Sequence, residues 1–227
     1  MAENRHRLDC HSEPRRRTMA HGRLTRRVGH GWSDPAETGE GLRLAREVLA
    51  AHWDEPAALH LAARALAALG ADHETALTAV EHALALTPHS ADAHNTAGFI
   101  NAWLCRPDAA IAHLERAVRL SPLDPEMAHH LAGLALAHMI AGRYEVALEL
   151  GLRAVREKPD WADAHRQVIV ALSLLGRREE AEAAARRFRR VAPDKARVLA
   201  NRARGLFADP AISKARIRAL REAGLPE

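Results

Sequence analysis

Fifteen histidines stand out in a chain of 227 residues that holds only two cysteines, Cys10 and Cys105. Imidazoles three or four positions apart share one helix face and can hold a metal ion, yet no two histidines have that spacing. Glu126 and His129, in the pattern Glu-x-x-His, come nearest, and a di-metal carboxylate site would need several such contributions from facing helices. No metal or other cofactor is therefore expected. Nucleophilic and phosphate chemistry are no better served: the chain has no Gly-x-Ser-x-Gly elbow, no phosphate-binding glycine loop, no Gly-x-Gly-x-x-Gly and no Cys-x-x-Cys. The sequence reads as non-enzymatic, and its chemistry as recognition.

The elements that position any recognising residue are helices. Hydrophobic residues make up 48% of the chain but aromatics only 4%, and the difference is Ala and Leu, the composition of closely stacked helices. The net charge of +4 is local. Residues 1–35 carry eight arginines (Arg5, Arg7, Arg15, Arg16, Arg17, Arg23, Arg26, Arg27) against four acids (Glu3, Asp9, Glu13, Asp34), so the remainder is near neutral. A neutral body argues against nucleic acid as a partner of the main part, because phosphate binding needs a positive face. Residues 1–36 are expected to be a disordered basic tail, either an unstructured leader with Met19 as an alternative start or, through Arg15 to Arg27, an arm for nucleic acid or an acidic partner. No apolar run approaches the roughly 20 residues of a membrane span, and no signal peptide is apparent. The low cysteine count suits a reducing cytoplasm, with Cys105 read as a small residue lining a helix.

Beyond the tail the chain repeats itself. Pro56, Pro88, Pro122, Pro159 and Pro193 are separated by 32, 34, 37 and 34 residues. Before each of the last four stands an alanine-anchored helix: Ala76 with Ala83, Ala110 with Ala117, Ala147 with Ala154, and Ala181 leading to Phe188. Upstream of each is a second apolar-periodic helix, ended by Gly70, by Cys105-Arg106-Pro107, by Gly142 or by Gly176. A period of about 34 residues with two helices per unit signals a repeat array, in which each unit buries its apolar face against its neighbours. Small residues such as Gly98, Ala117 and Ala154 mark where two backbones approach closely.

Gly98, Ala110, Ala117 and Pro122, followed by Ala135, Gly142, Tyr144, Ala147, Ala154 and Pro159, resemble the tetratricopeptide repeat family. The large aromatic residue of that family's first helix is replaced here by Leu59, His94, Leu131 and His165, and Phe188 stands where a second alanine belongs. The resemblance implies an all-α, right-handed solenoid over 37–193. It divides into a partial repeat (37–56) and four repeats (57–88, 89–122, 123–159, 160–193), with capping helices over 194–227. In the cap, Asp194 is expected to open a helix to about Leu206, and Asp209-Pro210 a second with Ile212, Ile217 and Leu220 as its apolar stripe. The ending from Leu220 to Glu227, and the spacer from Ser121 to Pro125, are also similar to the repeat modules of bacterial nucleotide cyclases and winged-helix regulators.

The family resemblance further implies a concave groove lined by the first helix of each repeat. Carried over by position, the groove residues are His60 and Arg64, then Asn95, Phe99 and Trp103, then His129, Leu136, Met139 and Ile140, and finally Asp163 and Arg166. Phe99 and Trp103 would be anchors for an extended peptide or partner helix, with Asn95 and Arg166 holding its backbone or carboxylate. The expected function is a protein-interaction or scaffold module with a peptide or protein partner. The alternative is the sensory C-terminal half of a bacterial cyclase or transcriptional regulator. Self-association is expected if the N-terminal half-repeat leaves its apolar face open.

Overall fold

The computed structural model describes residues 35–69, 72–193 and 206–225. The tail, the Gly70 turn and the helix expected from Asp194 lie outside the described residues, as do Lys195, Arg197, Arg202 and Arg204. Among the described residues every regular element is an α-helix: α1 (Pro35–Ala51), α2 (Pro56–Ala68), α3 (His73–Leu86), α4 (Ala91–Trp103), α5 (Pro107–Leu120), α6 (Met127–Ile140), α7 (Tyr144–Glu157), α8 (Ala162–Leu174), α9 (Arg178–Val191) and α10 (Pro210–Glu222). The fold class is all-α, made of helix-turn-helix repeats. Among the described residues no helix is long and apolar enough to cross a membrane.

The chain divides into two compact units, Met1–Pro88 and His89–Glu227. In the first, α2 packs on both α1 and α3. Its core joins Leu44, Ala45 and Val48 to Leu59, Ala62, Ala63 and Leu66, and to Ala76, Val80 and Ala83. Asp72 starts α3 by accepting from the Thr75 amide at 3.0 Å, and Trp53 stacks on His82 with ring centroids 4.9 Å apart.

In the second unit the hairpins are α4 with α5, α6 with α7, and α8 with α9. The first helices of successive hairpins also touch, α4 against α6 and α6 against α8, so their faces form one continuous surface. The second helices close the hairpins from the other side. The expected close approaches are present. A Cβ on Gly98 would collide with Leu114 Cγ, and one on Gly133 would lie 2.8 Å from Leu114 Cδ2 and 2.9 Å from Phe99 Cε2. Ala110, Ala117, Ala147 and Ala154 are all fully buried, as crossing positions require.

Three turns between paired helices are built alike. Gly142 and Gly176 take left-handed φ values of 74° and 73°, and the amides after them reach back to His138 and Leu172 at 2.9 Å. Cys105 occupies the same place with φ 60°, and Arg106 donates to the Asn101 carbonyl at 2.8 Å. Its expected role as a helix-lining residue is therefore corrected: Cys105 is a turn residue in a conformation that favours glycine.

The departures from the family pattern compensate one another. His165 stacks on Phe188 with centroids 4.5 Å apart, so a smaller ring in α8 leaves room for a larger one in α9. Both side chains are buried, and His165 Nε2 lies 2.7 Å from the Pro159 carbonyl.

Candidate functional site

The shared surface of α4, α6 and α8 gathers several of the expected groove residues. Asn95, Phe99 and Trp103 come from one face of α4 at helical spacing, and His129 comes from the first turn of α6. Asn95 Nδ2 lies 3.0 Å from His129 Nδ1. The Phe99 ring stacks on the His129 imidazole with centroids 4.6 Å apart and also meets Trp103 at 5.7 Å. Trp161, which precedes α8, presents its edge to His129 at 5.8 Å and carries Lys158 Nζ 4.6 Å from its centroid.

Trp161 was not among the expected residues. Its position just before a helix placed it outside the carried-over pattern, although the scarcity of aromatics was a usable signal. Asn95 Oδ1 is buried and makes no hydrogen bond, so the cluster holds an amide acceptor beside an aromatic wall.

Asp163 and Arg166 open α8 as an ion pair at 3.0 Å, with the Arg166 guanidinium largely buried. Leu136 and Met139 are buried on α6, and Ile140 is half-buried. His60 and Arg64 lie half-buried on α2 in the first unit, where His60 Nδ1 is 3.3 Å from the Pro56 carbonyl. Asn95, Phe99, Trp103, His129, Met139, Trp161, Asp163 and Arg166 thus all fall in the second unit, and His60 and Arg64 in the first.

The expected groove residues are not exposed along a bare surface. Instead Asn95, Phe99, Trp103, His129, Leu136, Met139 and Arg166 are all buried. A visible part of the cover is the C-terminal segment. The Ala208 amide donates to the Trp103 carbonyl at 2.8 Å, and Arg216 donates to Met139 Sδ at 2.9 Å and to Gln167 Oε1 at 3.0 Å.

The inner face of α10 also differs from the expected stripe. Ser213, Arg216, Ala219 and Leu220 are buried, whereas Ile212 and Ile217 are only half-buried. Burial lowers the Arg216 pKa to about 9, the like charge of Arg166 adds to this, and Asp163 opposes it.

The arrangement offers hydrogen-bonding groups beside aromatic rings. Its polar groups are an amide, an imidazole held by that amide, and a guanidinium paired with a carboxylate. Among the described residues no group of three or more His, Cys, Asp or Glu could hold a metal ion.

No family model matches the chain, and no curated protein matches it by sequence. Solved structures do. A MamA from Desulfovibrio magneticus RS-1 is 24% identical, with a TM-score of 0.52 over 77% of this chain and 92% of that one. Another MamA structure is 22% identical with a TM-score of 0.53, covering 71% and 86% of the two chains. PilW, described as a widely conserved type IV pilus biogenesis factor, is 16% identical with a TM-score of 0.61 over 81% of this chain and 83% of its own. At these identities the likeness is one of fold, and the fold is the tetratricopeptide type of helical repeat.

Proposed function

We propose that this protein is a non-enzymatic interaction module that takes a peptide or a helix of a partner protein on the α4, α6 and α8 surface. The observation that supports this most is the Asn95, Phe99, Trp103, His129 and Trp161 cluster. It places a buried, unpartnered amide oxygen against stacked rings on adjoining repeats. Rings of this kind are the usual anchors of an interface, and an amide acceptor beside them suits a backbone N–H of an incoming chain. The near-neutral repeat body favours protein over nucleic acid as the partner. The cysteine usage favours a reducing compartment such as the cytoplasm.

A peptide array read with the whole protein tests this reading. Peptides that bind the native chain should lose about tenfold in affinity on Trp103→Ala, a typical cost of removing an aromatic anchor. Leu152→Asp, on the exposed side of α7, should leave them unchanged. The opposite pattern, loss with Leu152→Asp and none with Trp103→Ala, would place binding elsewhere.

A further inference from the structure

The helix α10 is complete in itself. Asp209 Oδ1 accepts from the Ala211 amide at 2.8 Å, Pro210 occupies the first turn, and Gly224 ends the helix with φ 86°. Leu225 N–H closes the end by donating to the Leu220 carbonyl at 3.0 Å. A helix with both ends satisfied by its own residues keeps those bonds when it leaves the surface beneath it.

Its attachments run across the first helices of three repeats. The Ala208 amide reaches the end of α4 at Trp103, Arg216 reaches α6 at Met139 and α8 at Gln167, and Ser173 Oγ lies 3.4 Å from the Ala219 carbonyl. At the far end Arg189 donates to the Gly224 carbonyl at 2.9 Å. Phe207, Leu220 and Leu225 are buried. Trp103 and Met139, both assigned above to a partner's site, are therefore held by the chain itself.

Arg216 weakens that hold. Its side chain is nearly inaccessible, at 3% exposure. Its N–H groups meet only a thioether, which is a weak acceptor, and a neutral amide, while Nε makes no hydrogen bond. The Phe207 ring lies 5.5 Å from the guanidinium carbon. Among the described residues no carboxylate stands within ion-pair distance of it, and Asp163 is already paired with Arg166. A buried charge with no carboxylate in contact is disfavoured, and an apolar side chain of similar size would grip the same surface more tightly.

We propose that residues 206–225 are a displaceable occupant of the binding surface. The external partner is a helix with the same small and apolar face and an uncharged residue where this chain has Arg216. This inference rests on the groove reading above. It adds that the surface is open only in the fraction of molecules whose own segment has left, which lowers the affinity of any partner by that fraction.

Two measurements on the whole chain test it. Hydrogen exchange should show the α10 amides opening together and faster than those of α8, with Arg216→Met slowing α10 by about tenfold or more. Fluorescent peptides of residues 206–227 are the probes, one of native sequence and one with its own Arg216 replaced by Met. The Met-containing probe should bind the native protein about tenfold more tightly than the native probe. Leu220→Asp in the protein, which loosens α10, should strengthen binding of both probes.

Exchange of α10 as slow as that of α8, unaltered by Arg216→Met, would overturn the displaceable segment; this comparison decides alone where Leu220→Asp unfolds the chain. Rapid α10 opening with equal binding of the two probes would overturn the stated partner chemistry. Tight binding of the Met probe that is indifferent to Trp103→Ala would leave the displacement standing and remove the groove reading.

Discussion

His165 and Phe188 stack across one hairpin, 4.5 Å between ring centroids, and in doing so hold the imidazole away from water. Burial pushes its pKa below the ordinary 6.5, and the Pro159 carbonyl acts in the other direction without cancelling that. Burial lowers His73, His113 and His138 in the same way. As pH falls through 6.5 the unfolded chain gains these protons before the folded one does, so the folded state loses ground. Thermal denaturation across pH should show a Tm that is level above about pH 7 and falls steadily from about pH 6.5 to 5. A Tm constant across that whole interval would contradict it.

Gly98 and Leu114 fit each other so closely that Gly98→Ala should cost about 1–3 kcal/mol. Leu114→Ala alone should cost about 2–5 kcal/mol. The pair together should cost less than their sum by about 1 kcal/mol, because the added methyl enters space that Leu114 vacates. Urea unfolding of the four proteins gives the comparison, and strict additivity would mean the two do not share that space.

Cys105 holds its left-handed turn against its own side chain. Cys105→Gly should therefore raise stability by about 0.5–1 kcal/mol, a gain of about 1–4 °C in Tm. The Cys105 thiol donates to the Trp103 carbonyl at 3.7 Å, and S–H is too weak a donor to offset this. A lower Tm for the glycine variant would show that the thiol packs to more effect than its backbone strain.

Ala117 and Ala154 lie at two crossings with no exposed surface. Ala117→Arg and Ala154→Arg should each unfold the hairpin concerned and its neighbour, since repeats depend on adjoining interfaces. Leu152→Arg, on an exposed position of the same helix as Ala154, should change stability by less than about 0.5 kcal/mol. Circular dichroism of the three variants checks this, and similar losses in all three would mean the repeat register is misplaced.

Where chain conformation alone decides an outcome, the sequence was informative. Gly142 and Gly176 marked their turns, Asp209-Pro210 marked the start of α10, and Gly98 marked a close crossing. Cys105 was misread because its residue type gives no hint of a left-handed turn, although its alignment with Gly142 and Gly176 does. Asn95, Phe99, Trp103 and His129 were grouped by the groove positions that the family resemblance implies, and in the structure they touch one another. Trp161 was missed because it lies outside the helix whose pattern was followed. Arg216 was missed for a different reason. Arginine is so rarely buried that Ile212 and Ile217 looked the better inward residues, whereas Ser213, Arg216, Ala219 and Leu220 form the inner face. A contact spanning 77 residues of sequence, as between Arg216 and Met139, leaves no trace in local spacing.

The Ala208 to Trp103 hydrogen bond joins two backbones and satisfies a carbonyl that the end of α4 leaves open. Substitution at either residue leaves its donor and acceptor in place, proline at Ala208 excepted. Arg216 and Gln167, by contrast, meet through side chains, and a single codon change in either alters the contact. Mutation can therefore vary how firmly the C-terminal helix rests while where it rests stays the same, which makes the strength of self-closure the more readily evolved property.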